Sequence, residues 1–153
     1  MLFDPSMNDA IQRTASLQQD LKLALKNEAL EVYYQPKFDL GKNRYDGMEA
    51  LIRWNHPDRG FIPPPEFIKV AEESNLIIEL GAWILEKSCR FIKEYNCQHQ
   101  TNYSIAVNVS TVQLLNEHFE TSVLAILEST GLNPAFLELE ITESVFMHSI
   151  DTA

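Results

Sequence analysis

Three short apolar runs in this sequence each carry one oxygen-bearing side chain near their carboxyl end: Glu49 in "MEALIRW", Asn108 in "IAVNVS" and Glu140 in "LELEITE". Burying a carboxylate or an amide costs free energy unless it is partnered, so three of them in such runs call for a common ligand. Two carboxylates and an amide oxygen, with no histidine or thiolate beside them, are hard donors suited to magnesium or manganese rather than zinc. Arg53 follows Glu49 by four residues. Strand side chains alternate faces, so Glu49, Leu51 and Arg53 share one side, where the guanidinium could clamp a metal-bound phosphate.

Blander readings of the same residues stand beside this one. Glu49 and Arg53 could pair with each other at a strand edge, and Asn108 could satisfy neighbouring loop backbone. Gln35 sits next to Pro36, which removes a ladder donor and marks an edge or bulge; Gln35 either faces the cavity or is a structural amide. Glu138, Glu140 and Glu143 include at least one solvent-facing charge, and Glu143 reads as a loop anchor rather than a metal ligand. His56, His99, His118 and His148 fall at unrelated spacings and read as solvated surface.

The elements that must position these residues are legible in the pattern. Ile11, Thr14, Leu17, Leu21, Ala24 and Leu25 fall on one face of an amphipathic helix over 8–26. "LEVYYQPKFDL" and "RYDGMEALIRW", separated by "GKN", predict a β-hairpin over 30–54. "NHPDRGFIPPPEF" reads as a loop whose last proline, Pro65, starts a helix. A second helix is expected over 76–95 and a short buried strand over 104–110.

Ser110 and Gln113 form an S-x-x-Q capping box for a helix with Val112, Leu115, Phe119, Val123 and Ile126 on its apolar face, ended by Gly131 and Pro134. "FLELEITES" predicts a fourth strand, and "VFMHSIDTA" reads as the start of a helix or loop. Strand, helix, strand, helix, strand after a hairpin implies an α/β fold with a parallel sheet and helices outside it. A closed eight-stranded barrel takes about 250 residues, so four strands would form only part of one.

The totals set limits. The chain has 153 residues with 45% hydrophobic side chains, enough to bury a core. Twelve basic against twenty-two acidic residues give a net charge of -10, which opposes binding to nucleic acid polymers or anionic membranes. Two cysteines, Cys89 and Cys97, match neither a redox nor a zinc framework and point to a reducing cytoplasm. No signal peptide is visible at the amino terminus and no apolar run approaches the roughly 20 residues of a spanning helix, although a larger parent could be membrane-anchored elsewhere.

At the residues singled out above the sequence resembles the amino-terminal part of an EAL domain, the family of bacterial cyclic di-GMP phosphodiesterases. The signature stands as Glu49-Ala50-Leu51 within "EALIRW", followed by "HPDRGFIPPPEFIKVAEE"; "YYQP", "VNVS" and "LELEITES" resemble further family blocks in the expected order. The likeness runs from about Leu17 to the end, with residues 1–16 as a junction and the start of the lead-in helix, and 17–153 as a truncated EAL domain. "FDPSM" resembles the junction by which such domains follow a GGDEF domain.

The resemblance implies an incomplete (β/α)8 TIM-like barrel, about half of the full one, with an antiparallel first strand. It implies two magnesium or manganese ions that activate a water to open one phosphodiester of cyclic di-GMP, giving linear pGpG, and a homodimer formed through the domain. Carried over, Glu49, Asn108 and Glu140 fall on metal-ligand positions, Arg53, Gln35 and Leu51 on the substrate side, and Glu143 on a loop-bracing glutamate.

The family pattern continues with an Asp-Asp pair, a lysine, a glutamate and a glutamine that these 153 residues do not include. The expectation is that the stretch alone does not hydrolyse cyclic di-GMP. A non-catalytic cyclic di-GMP receptor and a dimerisation module are the competing functions.

Overall fold

The computed structural model describes residues 5–141. Helix α1 (Pro5–Lys26) leads into an antiparallel hairpin of β1 (Glu31–Asp39) and β2 (Arg44–His56). A short β3 (Gly60–Ile62) folds back on β2, followed by α2 (Pro64–Glu73) and α3 (Leu76–His99). Strand β4 (Ser104–Val109), helices α4 (Thr111–Leu115) and α5 (Phe119–Thr130), and β5 (Leu137–Ile141) complete the described chain. The main sheet has the order β1-β2-β4-β5, with β2, β4 and β5 parallel. This is the incomplete barrel with an antiparallel first strand that the sequence leads one to expect.

Alternation along the strands sorts their two faces. Met48, Ala50, Ile52 and Trp54 of β2, with Ile105, Val107 and Val109 of β4, are buried. Most of them join Phe67, Leu80, Leu85 and Ile92 of the helices in the core. Trp54 meets Phe67 edge-to-face with ring centroids 5.5 Å apart, a geometry that suits the aromatic quadrupoles. The opposite face of the sheet is left for polar side chains.

Local sequence explains most boundaries. Two prolines occupy the first positions of α2, where a missing N–H costs nothing. Gly131 ends α5 at φ 72°, a left-handed conformation that L side chains avoid. The Ser110–Gln113 capping box forms as read, with Gln113 buried beside Gly81. A Cβ on Gly81 would overlap the Gln113 side-chain amide, so the close passage of α3 over α4 requires glycine there.

Four expectations are corrected. The loop "NHPDRGFIPPPEF" contains β3, because "GFI" pairs with Trp54, Asn55 and His56 as β2 runs on two residues further. The helix after the capping box is two helices: the chain leaves helical geometry at Asn116, and Leu115 is 80% exposed rather than packed. Only the second half of α1 is amphipathic in practice, since Leu17, Leu21, Ala24 and Leu25 are buried while Ile11 is exposed. His56 is not solvated surface; its Nε2 lies 2.8 Å from Asp20 of α1 with the ring 9% exposed. "VFMHSIDTA", with Glu143, lies outside the described residues.

Candidate functional site

The polar face of the sheet gathers most of the residues singled out in the sequence. In the hairpin register Gln35 stands directly opposite Glu49, so both project to the same side. Across the parallel ladders Glu49 pairs with Ala106, and Asn108 with Glu140. Glu49, Asn108 and Glu140 therefore lie on three successive strands, on the face turned away from the helices. Asn108 donates from Nδ2 to Glu49 Oε1 at 3.3 Å, which among the described residues leaves its carbonyl oxygen as an open acceptor.

Glu49 and Arg53 do not form the strand-edge pair. Four residues along a strand span about 13 Å, too far for direct contact. The Arg53 guanidinium instead donates to the Ile52 carbonyl at 2.9 Å and lies 5.6 Å from the centroid of the Tyr33 ring. Arg53 and Leu51 line a cleft of about 540 Å³ with Pro64, Pro65, Asn108 and Ser110. It opens beside the carboxyl ends of β2 and β4, the end at which parallel α/β folds bind ligands.

Lys37 is a member of this face that the sequence reading missed. Its ammonium donates to Glu140 Oε1 at 2.9 Å and lies 3.7 Å from Glu138 Oε2. The Glu140 hydrogen bond, reinforced by the charges of Glu140, Glu138 and Glu49, holds the Lys37 amine above its usual pKa. Glu138 also accepts from Ser104 Oγ at 3.1 Å. The signal was present in β1: Lys37 is two residues after Gln35 and so shares its face.

The donor set of Glu49, Asn108 and Glu140 is all oxygen and carries two negative charges, which fits a hard divalent cation. That an ammonium already sits on Glu140 shows that the face attracts positive charge. Among the described residues no three histidine, cysteine or acidic side chains converge as a ready-made metal cage. An ion here would depend on the Asn108 amide and on donors beyond those described. No helix of the described residues is long and apolar enough to cross a membrane.

Comparison with known proteins agrees with this fold. The family profile of the EAL domain matches residues 18–153. The bifunctional diguanylate cyclase/cyclic di-GMP phosphodiesterase MucR of Pseudomonas aeruginosa is 36% identical over 151 residues, covering 99% of this chain and 22% of MucR. The cyclic di-GMP phosphodiesterase PdeR of Escherichia coli is 34% identical over 152 residues, covering 99% of this chain and 23% of PdeR. The solved MucR phosphodiesterase in complex with c-di-GMP superposes with a TM-score of 0.81 at 36% identity, over 90% of this chain and 56% of that one.

The chain thus spans about a fifth of the length of these two curated relatives and just over half of the solved domain. The matched span takes in α1 from its buried half onward and every strand of the polar face. By sequence and by fold, the chain belongs to the EAL domain family.

Proposed function

We propose that these residues form the amino-terminal part of a cyclic di-GMP phosphodiesterase that hydrolyses its substrate to linear pGpG. The observation that carries this reading is the placement of Glu49, Asn108 and Glu140 on successive strands, beside a cleft lined by Arg53 and Leu51. Residues 17–153 supply the catalytic domain's first part and residues 1–16 its junction to a preceding domain, a GGDEF domain being the type proposed.

In this reading Glu49, Asn108 and Glu140 hold magnesium or manganese, and Arg53 clamps a substrate phosphate. Gln35, exposed opposite Glu49, and Leu51 contact the rest of the nucleotide. Two such ions, when bound, offset phosphate charge and lower the pKa of a water. Arg53 is suited to its part because a guanidinium presents a planar fork that matches phosphate oxygens. Its present partners, a backbone carbonyl and an aromatic face, hold the side chain at the cleft without neutralising it. Glu143, by its place in the family pattern, would brace the loop needed for metal binding and dimer coupling, and the domain pairs as a homodimer in the cytoplasm.

The 153 residues by themselves do not turn over cyclic di-GMP, because they supply too few donors to fix two ions. The test is chromatography of pGpG with manganese or magnesium present, using this chain and a longer one that carries the remainder of the barrel. The expected result is turnover by the longer chain alone, reduced at least about 100-fold by Glu49→Ala, the loss of a metal-held transition-state interaction. Turnover by the 153-residue chain that Glu49→Ala abolishes would overturn the inactivity claim. Binding of cyclic di-GMP by the longer chain in calcium, with no turnover in magnesium or manganese, would make the domain a receptor instead.

A further inference from the structure

We propose that Lys37 is a tethered counter-cation of the candidate site: it occupies Glu140 in place of a divalent ion and releases that carboxylate when the ion binds. This inference rests on the metal reading of Glu49, Asn108 and Glu140 given above.

The geometry favours a movable cation over a fixed strut. Lys37 belongs to β1 and Glu140 to β5, opposite ends of the strand order β1-β2-β4-β5. The 2.9 Å contact between them therefore crosses the concave side of the sheet, over the strands that carry Glu49 and Asn108. The base of the side chain is fixed, since Pro36 restricts the preceding backbone and a bulge lies between Lys37 and Phe38. Its tip is a flexible point charge about 39% exposed, free to reorient.

A second seat is ready for it. Glu138 Oε2 lies 3.7 Å from the ammonium, and Ser104 Oγ donates to the other oxygen of that carboxylate at 3.1 Å. When a divalent ion takes Glu140, the lysine can swing to Glu138 without losing an ionic partner. The cost of opening Glu140 is the difference between two partly exposed ion pairs rather than the loss of one. Lys37 thereby sets how much free metal the site needs. It is a positioning residue, acting on the ligand Glu140 and not on substrate.

The experiment is a titration of the longer chain that carries the remainder of the barrel with Mn²⁺, followed by the loss of the free-ion electron paramagnetic resonance signal, for the wild type, Lys37→Met and Lys37→Arg. Lys37→Met is expected to bind Mn²⁺ about 2- to 5-fold more tightly, the change that corresponds to a partly exposed ion pair. Lys37→Arg, which keeps the charge, should return the affinity toward the wild-type value.

Thermal melts in chelator give a readout free of metal: Lys37→Met and Glu140→Gln should be non-additive, because each breaks the same pair. Binding to Lys37→Met equal to or weaker than wild type, with wild-type binding present and lost in Glu49→Gln, overturns the counter-cation role alone. Additive melts also overturn it. Absence of Mn²⁺ binding in every variant, with the melts non-additive, overturns the metal reading and leaves Lys37 a structural ion pair.

Discussion

Cys89 and Cys97 lie on the same helix, α3, yet in opposite surroundings. Cys89 is fully buried, and burial pushes its thiol up to about 11, while Cys97 is exposed. An unfolded thiol titrates near 8.5. Between those values the unfolded state has given up the proton that the folded state retains. The stabilising effect of the protonated thiol is therefore complete below about pH 8.5 and is lost as pH rises through the folded value near 11. Melting temperatures should fall from pH 8 to 10, and Cys89→Ala should flatten that fall. A thiol reagent at neutral pH should label Cys97 in the folded chain, and both cysteines only in denaturant. Equal labelling in the folded chain would contradict the burial of Cys89. The same scale explains why His56 was misread: its spacing to other histidines says nothing of Asp20, which reaches it from α1 at 2.8 Å.

Helix α1 shows how one element can divide its work. Its second half packs through Leu17, Leu21, Ala24 and Leu25, whereas Met7 and Ile11 of its first half are 62% and 66% exposed. Polar ties run along the same helix to the end of β2 and on to α2: Asp20 to His56, Ser16 to Arg59 at 2.9 Å, and Arg13 to Glu66 at 3.0 Å. His56 Nδ1 also accepts the backbone N–H groups of Asp58 and Arg59, which sets Nε2 as the nitrogen that donates to Asp20. Leu21→Ala should lower the unfolding free energy by about 2–5 kcal/mol through an incompletely collapsed cavity. Ile11→Ala should change it by less than about 0.5 kcal/mol, as for an exposed site. Urea denaturation of the two variants checks both; equal losses would mean that the first half of α1 is packed in solution. Hydrophobic periodicity identified the helix but not which turns of it meet the core, because periodicity records a face and not a neighbour.

At the scale of the molecule, the sheet presents two edges among the described residues, β1 and β5. Leu139 and Ile141 of β5 are exposed, as are Tyr33 and Phe38 of β1. Unpaired strand edges with apolar side chains favour association, and the net charge of -10 opposes it. Sedimentation of this chain should therefore become more concentration-dependent as salt is raised, and Ile141→Lys should reduce the effect. Unchanged sedimentation across salt and concentration would show that these edges are covered in solution. The sequence by itself determined four of the five described strands, the order in which they follow one another along the chain and the family, and left β3 inside a loop. Alternation is a local property, so it also placed Glu49, Leu51 and Arg53 on one side of their strand and gave Asn108 and Glu140 a side of theirs, while Gln35 beside Pro36 stayed open between the cavity and a structural amide. The tertiary structure alone decided that Lys37 meets Glu140, 103 positions away in the chain, that Glu49 accepts from Asn108 rather than from Arg53, and that α1 is clipped to His56. Each of these contacts depends on how the sheet curls and where a helix crosses it. Those features follow from the packing of all the elements together, and no single stretch of sequence encodes them.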